Sequence, residues 1–135
     1  MADVKVTMPF SVPASDIWDK IGNFNALPDW HPAVERSELE EGGTLRRLHL
    51  VGGGEILEKL ERSEDGESYT YSIVEGPLPV MNYTSTLRVT EGPGGNAEVE
   101  WSSNYDPVGS AEEAAEVMTG IYQAGLDNLK KMFGG

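Results

Sequence analysis

From Val4 to Phe10, the apolar residues Val4, Val6, Met8 and Phe10 alternate with Lys5, Thr7 and Pro9. Successive side chains on a strand point to opposite faces, so this pattern predicts a half-buried strand, ended by Pro13. The period then changes. Ile17, Trp18 and Ile21 fall on one side of a short helix that opens at Ala14 or Ser15 and closes at Gly22. Phe24 to Trp30 predicts a second helical turn or two, broken at Pro28 and Pro32. From Val34 onward, short strand-like runs alternate with turn clusters: Glu41-Gly42-Gly43, Gly52-Gly53-Gly54, Glu64-Asp65-Gly66, Gly76-Pro77-Leu78-Pro79 and Gly92-Pro93-Gly94-Gly95-Asn96. Connections this short leave no room for crossover helices, so an antiparallel meander is expected. Its last run, Ala97 to Tyr105, ends at Asp106-Pro107.

Ser110-Ala111-Glu112-Glu113 then has capping-box form. Ala114, Val117, Met118, Ile121, Gly125, Leu129 and Met132 follow at helical spacing, and Gly134-Gly135 is the expected stop. Acidic residues near the start and Lys130 and Lys131 near the end suit the helix dipole. A long helix with one apolar stripe must lie against something, and the sheet is the only large enough partner. The expected class is α+β. A curved antiparallel sheet of about six or seven strands wraps a long C-terminal helix, with two short helices after the first strand.

Composition narrows the function. The 135 residues predict one domain, 1–135, with a real core. There is no cysteine, which removes thiolate chemistry and disulfides and fits a reducing compartment. The opening residues show no basic stretch followed by an apolar run, and nothing approaches the ~18 apolar residues of a membrane span. A cytoplasmic protein is expected. The net charge of −13 opposes binding to nucleic acid or an anionic membrane. His31 and His49 lie in different elements, so no metal site is expected, and no motif implies a cofactor. Gly52-Gly53-Gly54 joins strands and no helix follows, so it lacks the context of a phosphate loop.

The candidate chemistry sits where the alternation breaks. Glu58 shares a face with Ile56 and Leu60, and Arg46 with Leu48 and Leu50. Ser85 lies between Tyr83 and Leu87, and Ser103 between Trp101 and Tyr105. Tyr69, Tyr71 and Ile73 form another inward row. A buried charge must be paired or wet. Counting back equally from Gly52-Gly53-Gly54 brings Arg46 and Glu58 roughly opposite, so a pair is expected. Its alternatives are a purely structural ion pair, or a one-residue slip that turns both outward. An amphipathic cavity between sheet and helix accounts for the inward polar groups. Gly120 and Gly125 in the helix are expected to leave room for it.

Several blocks carry a resemblance. Val12-Pro13-Ala14-Ser15-Asp16-Ile17-Trp18 and Leu27-Pro28-Asp29-Trp30-His31-Pro32 resemble the START-like (SRPBCC) superfamily. Gly43-Thr44-Leu45-Arg46, Glu58-Lys59-Leu60, Tyr71, Gly76-Pro77-Leu78-Pro79-Val80, Asn82-Tyr83 and Val99-Glu100-Trp101 resemble its polyketide cyclase/dehydrase-like branch. The resemblance spans essentially the whole chain and implies a helix-grip fold around a hydrophobic cavity. Members include cyclases, lipid carriers and receptors, so it implies no single activity. The ligand expected is a small hydrophobic or aromatic molecule, polyketide- or lipid-like. Trp30, Arg46, Glu58, Tyr71, Tyr83, Ser85, Trp101, Ser103, Met118 and Tyr122 are the expected contacts. Trp30 and His31, stiffened between two prolines, would sit at the rim. Arg46 would hold a carboxylate or phenolate, or neutralise Glu58. The alternative is a cyclase, dehydratase or isomerase. There Glu58 moves a proton, Arg46 or Tyr71 steadies an enolate, and His31 acts as proton donor or acceptor.

Overall fold

The computed structural model of the chain describes residues 2–133. The elements run β1 (Ala2–Phe10), α1 (Ala14–Ile21), α2 (Leu27–Trp30), β2 (Val34–Glu40), β3 (Leu45–Leu50), β4 (Glu55–Glu64), β5 (Ser68–Glu75), β6 (Val80–Glu91), β7 (Ala97–Pro107) and α3 (Ala111–Met132). The strands form one antiparallel sheet in the order β1-β7-β6-β5-β4-β3-β2. This is the helix-grip α+β fold. β2 to β7 form the expected meander, and β1 closes it by pairing with the last strand, Ala2 opposite Tyr105 and Phe10 opposite Ala97. Pro9 lies in β1, an edge strand, where a missing N–H breaks no ladder.

Pro28 does not break α2. It sits in the first turn, where its absent N–H has no intrahelical partner to lose. β7 also continues past Tyr105 to Pro107, which pairs with Val80.

α3 begins at Ser110, whose hydroxyl accepts from the Glu113 N–H. Gly134-Gly135, expected to end it, lie outside the described residues. The apolar stripe is rotated from expectation. Ala114, Met118, Tyr122, Gly125, Leu126 and Leu129 are buried, whereas Val117 and Met132 are exposed. The helix is anchored at its far end by Lys130, which donates to the Pro9 carbonyl and lies over the Phe10 ring.

The two helix glycines do not share a role. Gly120 is exposed, and a Cβ there would meet nothing. A Cβ on Gly125 would fall 2.6 Å from His31 Cδ2, 3.0 Å from Trp30 Cζ3 and 3.1 Å from Trp101 Cζ3. Neither glycine hollows the interior, contrary to expectation: one faces solvent, and the space beside the other is filled by three rings. Gly125→Ala is therefore expected to lose stability, by up to about 2 kcal/mol, because overpacking outweighs the gain in helix propensity. Gly120→Ala is expected to gain about 0.5–1 kcal/mol. Urea denaturation of the two variants beside wild type reads both signs.

Candidate functional site

The site is assembled by strand register. Gly52, Gly53 and Gly54 adopt φ of 87°, 104° and 101°, a left-handed run that L side chains resist. The turn they make sets β3 against β4 so that Arg46 pairs directly with Glu58. β4 does carry bulges, but they shift its register against β5 and leave the β3–β4 side regular. Both charges therefore point inward, with Arg46 at 0% and Glu58 at 5% exposure.

Arg46 is held on several sides, although its Nη2, beside Glu58, makes no well-aligned hydrogen bond. Its Nε donates to Glu58 Oε1 at 2.7 Å, and Nη2 stands 2.7 Å from the same oxygen. Nη1 donates to the Phe24 carbonyl at 2.6 Å and to the Tyr69 hydroxyl at 3.3 Å. The guanidinium carbon lies 4.2 Å from the Phe24 ring centroid and 4.9 Å from that of Tyr71. Burial pushes the Glu58 carboxyl above the usual carboxylate value, and Arg46 pulls it back in part. Burial opposes the charge on Arg46, but Glu58 and the tyrosines hold its pKa up.

A second polar group stands on β5, β6, β7 and α3. Trp101 Nε1 donates to both the Tyr71 hydroxyl and Ser85 Oγ at 3.1 Å. Tyr71 and Tyr83 hydroxyls are 3.4 Å apart, Tyr83 meets Tyr122, and Tyr122 lies 3.4 Å from Ser85. Ser85 donates onward to the Ser102 carbonyl at 2.9 Å. The Tyr122 ring stacks on Trp101 with centroids 4.5 Å apart. Burial pushes Tyr71 and Tyr83 well above the usual phenol value and Tyr122 up to about 12.

These groups border a cavity of ≈ 200 Å³ between the sheet and α3. Glu58, Tyr71, Tyr83, Trp101, Met118, Tyr122 and His31 line it, with an apolar wall that includes Leu27, Leu48, Ile56, Ile73 and Leu78. Exposed Val51 and Gly53 also line it, so it opens beside the β3–β4 turn. Leu78 and Ile121 are not among the expected contacts. Leu78 stands in a loop, where no period marks it, and Ile121 belongs to the expected helix stripe but at its margin, where the spacing reads as packing.

Four expected contacts lie off the cavity wall. Arg46 is behind Glu58, off the lining, with Nε and Nη1 given to protein partners. Ser85 supports Trp101 and Tyr122. Ser103 is buried on the same face of β7 but does not reach the lining. Trp30 is no rim cover: it is 1% exposed, beneath the cavity, with its ring 5.4 Å from Trp101. The short helix turns it inward, where it packs over Gly125.

His31 reaches the cavity but is not poised for proton transfer. Its Nε2 donates to the Ile121 carbonyl at 2.7 Å, and its Nδ1 accepts from the Ala33 N–H at 3.1 Å. Those partners fix one neutral tautomer. Burial holds its pKa below the ordinary 6.5, although the Ile121 bond acts the other way. Among the described residues no group of three or more candidate ligands could hold a metal, and no helix is long and apolar enough to cross a membrane.

The chain resembles solved structures along nearly its whole length. XoxI from Bacillus cereus is 43% identical with a TM-score of 0.95, over 98% of this chain and 96% of that one. An uncharacterized protein from Bacillus thuringiensis is also 43% identical, with a TM-score of 0.94 over 98% of each chain. A START superfamily protein from Mycobacterium smegmatis shares the fold at 11% identity, with a TM-score of 0.78 over 97% of this chain and 96% of its own. A search of the curated proteins gave no match. The family model described as polyketide cyclase / dehydrase and lipid transport matches residues 1–134. With its sheet, gripped helix and cavity, the chain belongs to the polyketide cyclase / dehydrase and lipid transport family.

Proposed function

We propose that the chain binds a small aromatic or hydrophobic molecule in the cavity between the sheet and α3. The observation that carries this reading is the cavity itself, ≈ 200 Å³, walled mainly by apolar and aromatic side chains with few polar groups. Its volume sets the size class. A cavity of about 150 Å³ admits benzene, so one or two fused rings fit here and a long acyl chain does not. The tyrosine, serine and tryptophan network gives the site a fixed shape before any ligand arrives, which limits the ordering cost of binding.

A second reading uses Glu58 as a base. Its carboxyl is desolvated and lines the cavity, as a proton-abstracting group beside a ligand carbonyl would need to. Against it stands Arg46, which neutralises the carboxylate and is not itself available to an enolate oxygen.

Binding is tested by thermal unfolding with naphthalene as the probe. The transition is expected to rise saturably, reaching about 2.7 kcal/mol of stabilisation at a hundredfold excess over Kd. Absence of any shift with naphthalene or its substituted analogues would discard the reading. Native mass spectrometry of protein from its own host identifies the retained molecule. Incubating that molecule with wild type and Glu58→Gln separates carrier from catalyst by whether product forms.

A further inference from the structure

We propose that the cavity selects an uncharged aromatic ligand that donates a hydrogen bond, a phenolic O–H or ring N–H, and rejects ligands that present a carboxylate or enolate. This rests on the binding reading above and follows from counting protons in the buried network.

The Trp101 N–H can only donate. The Tyr71 hydroxyl also meets Tyr83 and Ser85, so its own proton goes to one of these two. In the first case the Tyr83 proton passes to Tyr122 and the Tyr122 proton to Ser85; in the second the order runs from Tyr122 through Tyr83 to Tyr71 and on to Ser85. In both, Ser85 passes its proton to the Ser102 carbonyl, where the chain ends. Both orderings give every hydroxyl proton of this group an acceptor within it. A buried donor left unmade costs about 1–3 kcal/mol, so these orderings are strongly preferred. They leave no spare proton for a ligand. What the hydroxyls retain is lone pairs.

Glu58 adds to this. Both guanidinium contacts go to Oε1, and among the described residues Oε2 takes no hydrogen bond, while the side chain lines the cavity. Both nitrogens of His31 are committed to backbone groups. The polar part of the wall therefore offers acceptors, and an incoming anion would meet lone pairs and a carboxylate. A neutral donor of matching size satisfies Oε2 or a tyrosine oxygen without disturbing the chain. The elevated pKa values of Tyr71, Tyr83 and Tyr122 agree, since a wall that disfavours its own phenolates also disfavours a bound anion.

The test is calorimetric titration of the intact wild-type protein with three probes of one ring system: β-naphthol, its methyl ether and β-naphthoate. The naphthol is expected to bind at least about tenfold more tightly than either of the others, the margin one matched hydrogen bond supplies. Ether or naphthoate binding as tightly as naphthol overturns the donor proposal and leaves the cavity reading standing. If none of the three binds, both fall. In Glu58→Gln, whose amide N–H supplies a donor, the naphthol-to-ether ratio is expected to shrink several-fold. An unchanged ratio overturns the assignment of Oε2 as the acceptor and leaves the tyrosine oxygens to supply it.

Discussion

Arg46→Met is expected to cost about 3–5 kcal/mol of folding stability, because it leaves the Glu58 carboxylate buried without its counter-ion. Methionine keeps most of the stem and its packing, so the loss reports on charge and hydrogen bonding rather than on a void. The deficit is expected to depend on pH. Burial already raises the Glu58 carboxyl above its ordinary value of 4.5, and removing Arg46 removes the opposing pull. A group whose folded value is raised stabilises fully below its unfolded value and loses that contribution as pH rises through the folded one. The variant should thus approach wild type near pH 4.5 and fall away towards neutrality. The double variant Arg46→Met/Glu58→Leu is expected to recover most of the loss, since an apolar pair replaces both charges. It will not recover all of it. The Phe24 carbonyl and the Tyr69 hydroxyl lose their donor, a residual cost of about 1–3 kcal/mol. Urea midpoints for the four proteins close the cycle. A single-variant loss below about 1 kcal/mol would show that the pair is hydrated rather than buried.

The ion pair was legible in the sequence because the information is local. A three-glycine turn fixes how the two strands are counted, and a period of two fixes which face each residue takes. The inward tyrosines and Trp101 follow from the same alternation. Residues that depend on contacts between distant elements were not legible. Trp30 ends a helix of four residues, too short to show a period, and its burial depends on a ring from β7 and a gap in α3. The placing of β1 beside β7 joins the two ends of the sheet across the sequence, which no local pattern records. Gly120 and Gly125 illustrate a rotation that the sequence does hold. At 100° per residue Gly120 stands about 200° round the helix from Met118 and Gly125 only about 20°. The first therefore faces water and the second the core. Tyr122 fell outside the apolar stripe because its hydroxyl reads as polar, although its ring occupies the centre of the buried face.

Alkaline pH is expected to unfold the protein through the same hydroxyl chain. Tyr122 is raised from 10.0 to about 12, and Tyr71 and Tyr83 are raised well above 10.0, all by burial first. The sign follows from linkage. Their contribution is fully present below pH 10 and is lost as pH rises through the folded values. For Tyr122 alone the shift corresponds to roughly 2–3 kcal/mol. The two neighbours add to it, while the total stability of a domain is only about 5–15 kcal/mol. A cooperative transition between pH 10 and 12 should therefore result. The phenolate absorbance of these residues and the loss of near-ultraviolet dichroism from the Trp101–Tyr122 stack should appear together. Each buried tyrosine adds about 1.4 kcal/mol per pH unit to the slope of stability against pH in this window. Tyr83→Phe removes the middle hydroxyl, so the slope should fall by one such increment even though the variant starts less stable at neutral pH. A slope unchanged in Tyr83→Phe would mean that this hydroxyl ionises in the folded state, which requires water inside the chain. A network that wet would have protons to spare for a ligand oxygen, so this measurement also bears on which molecules the cavity accepts.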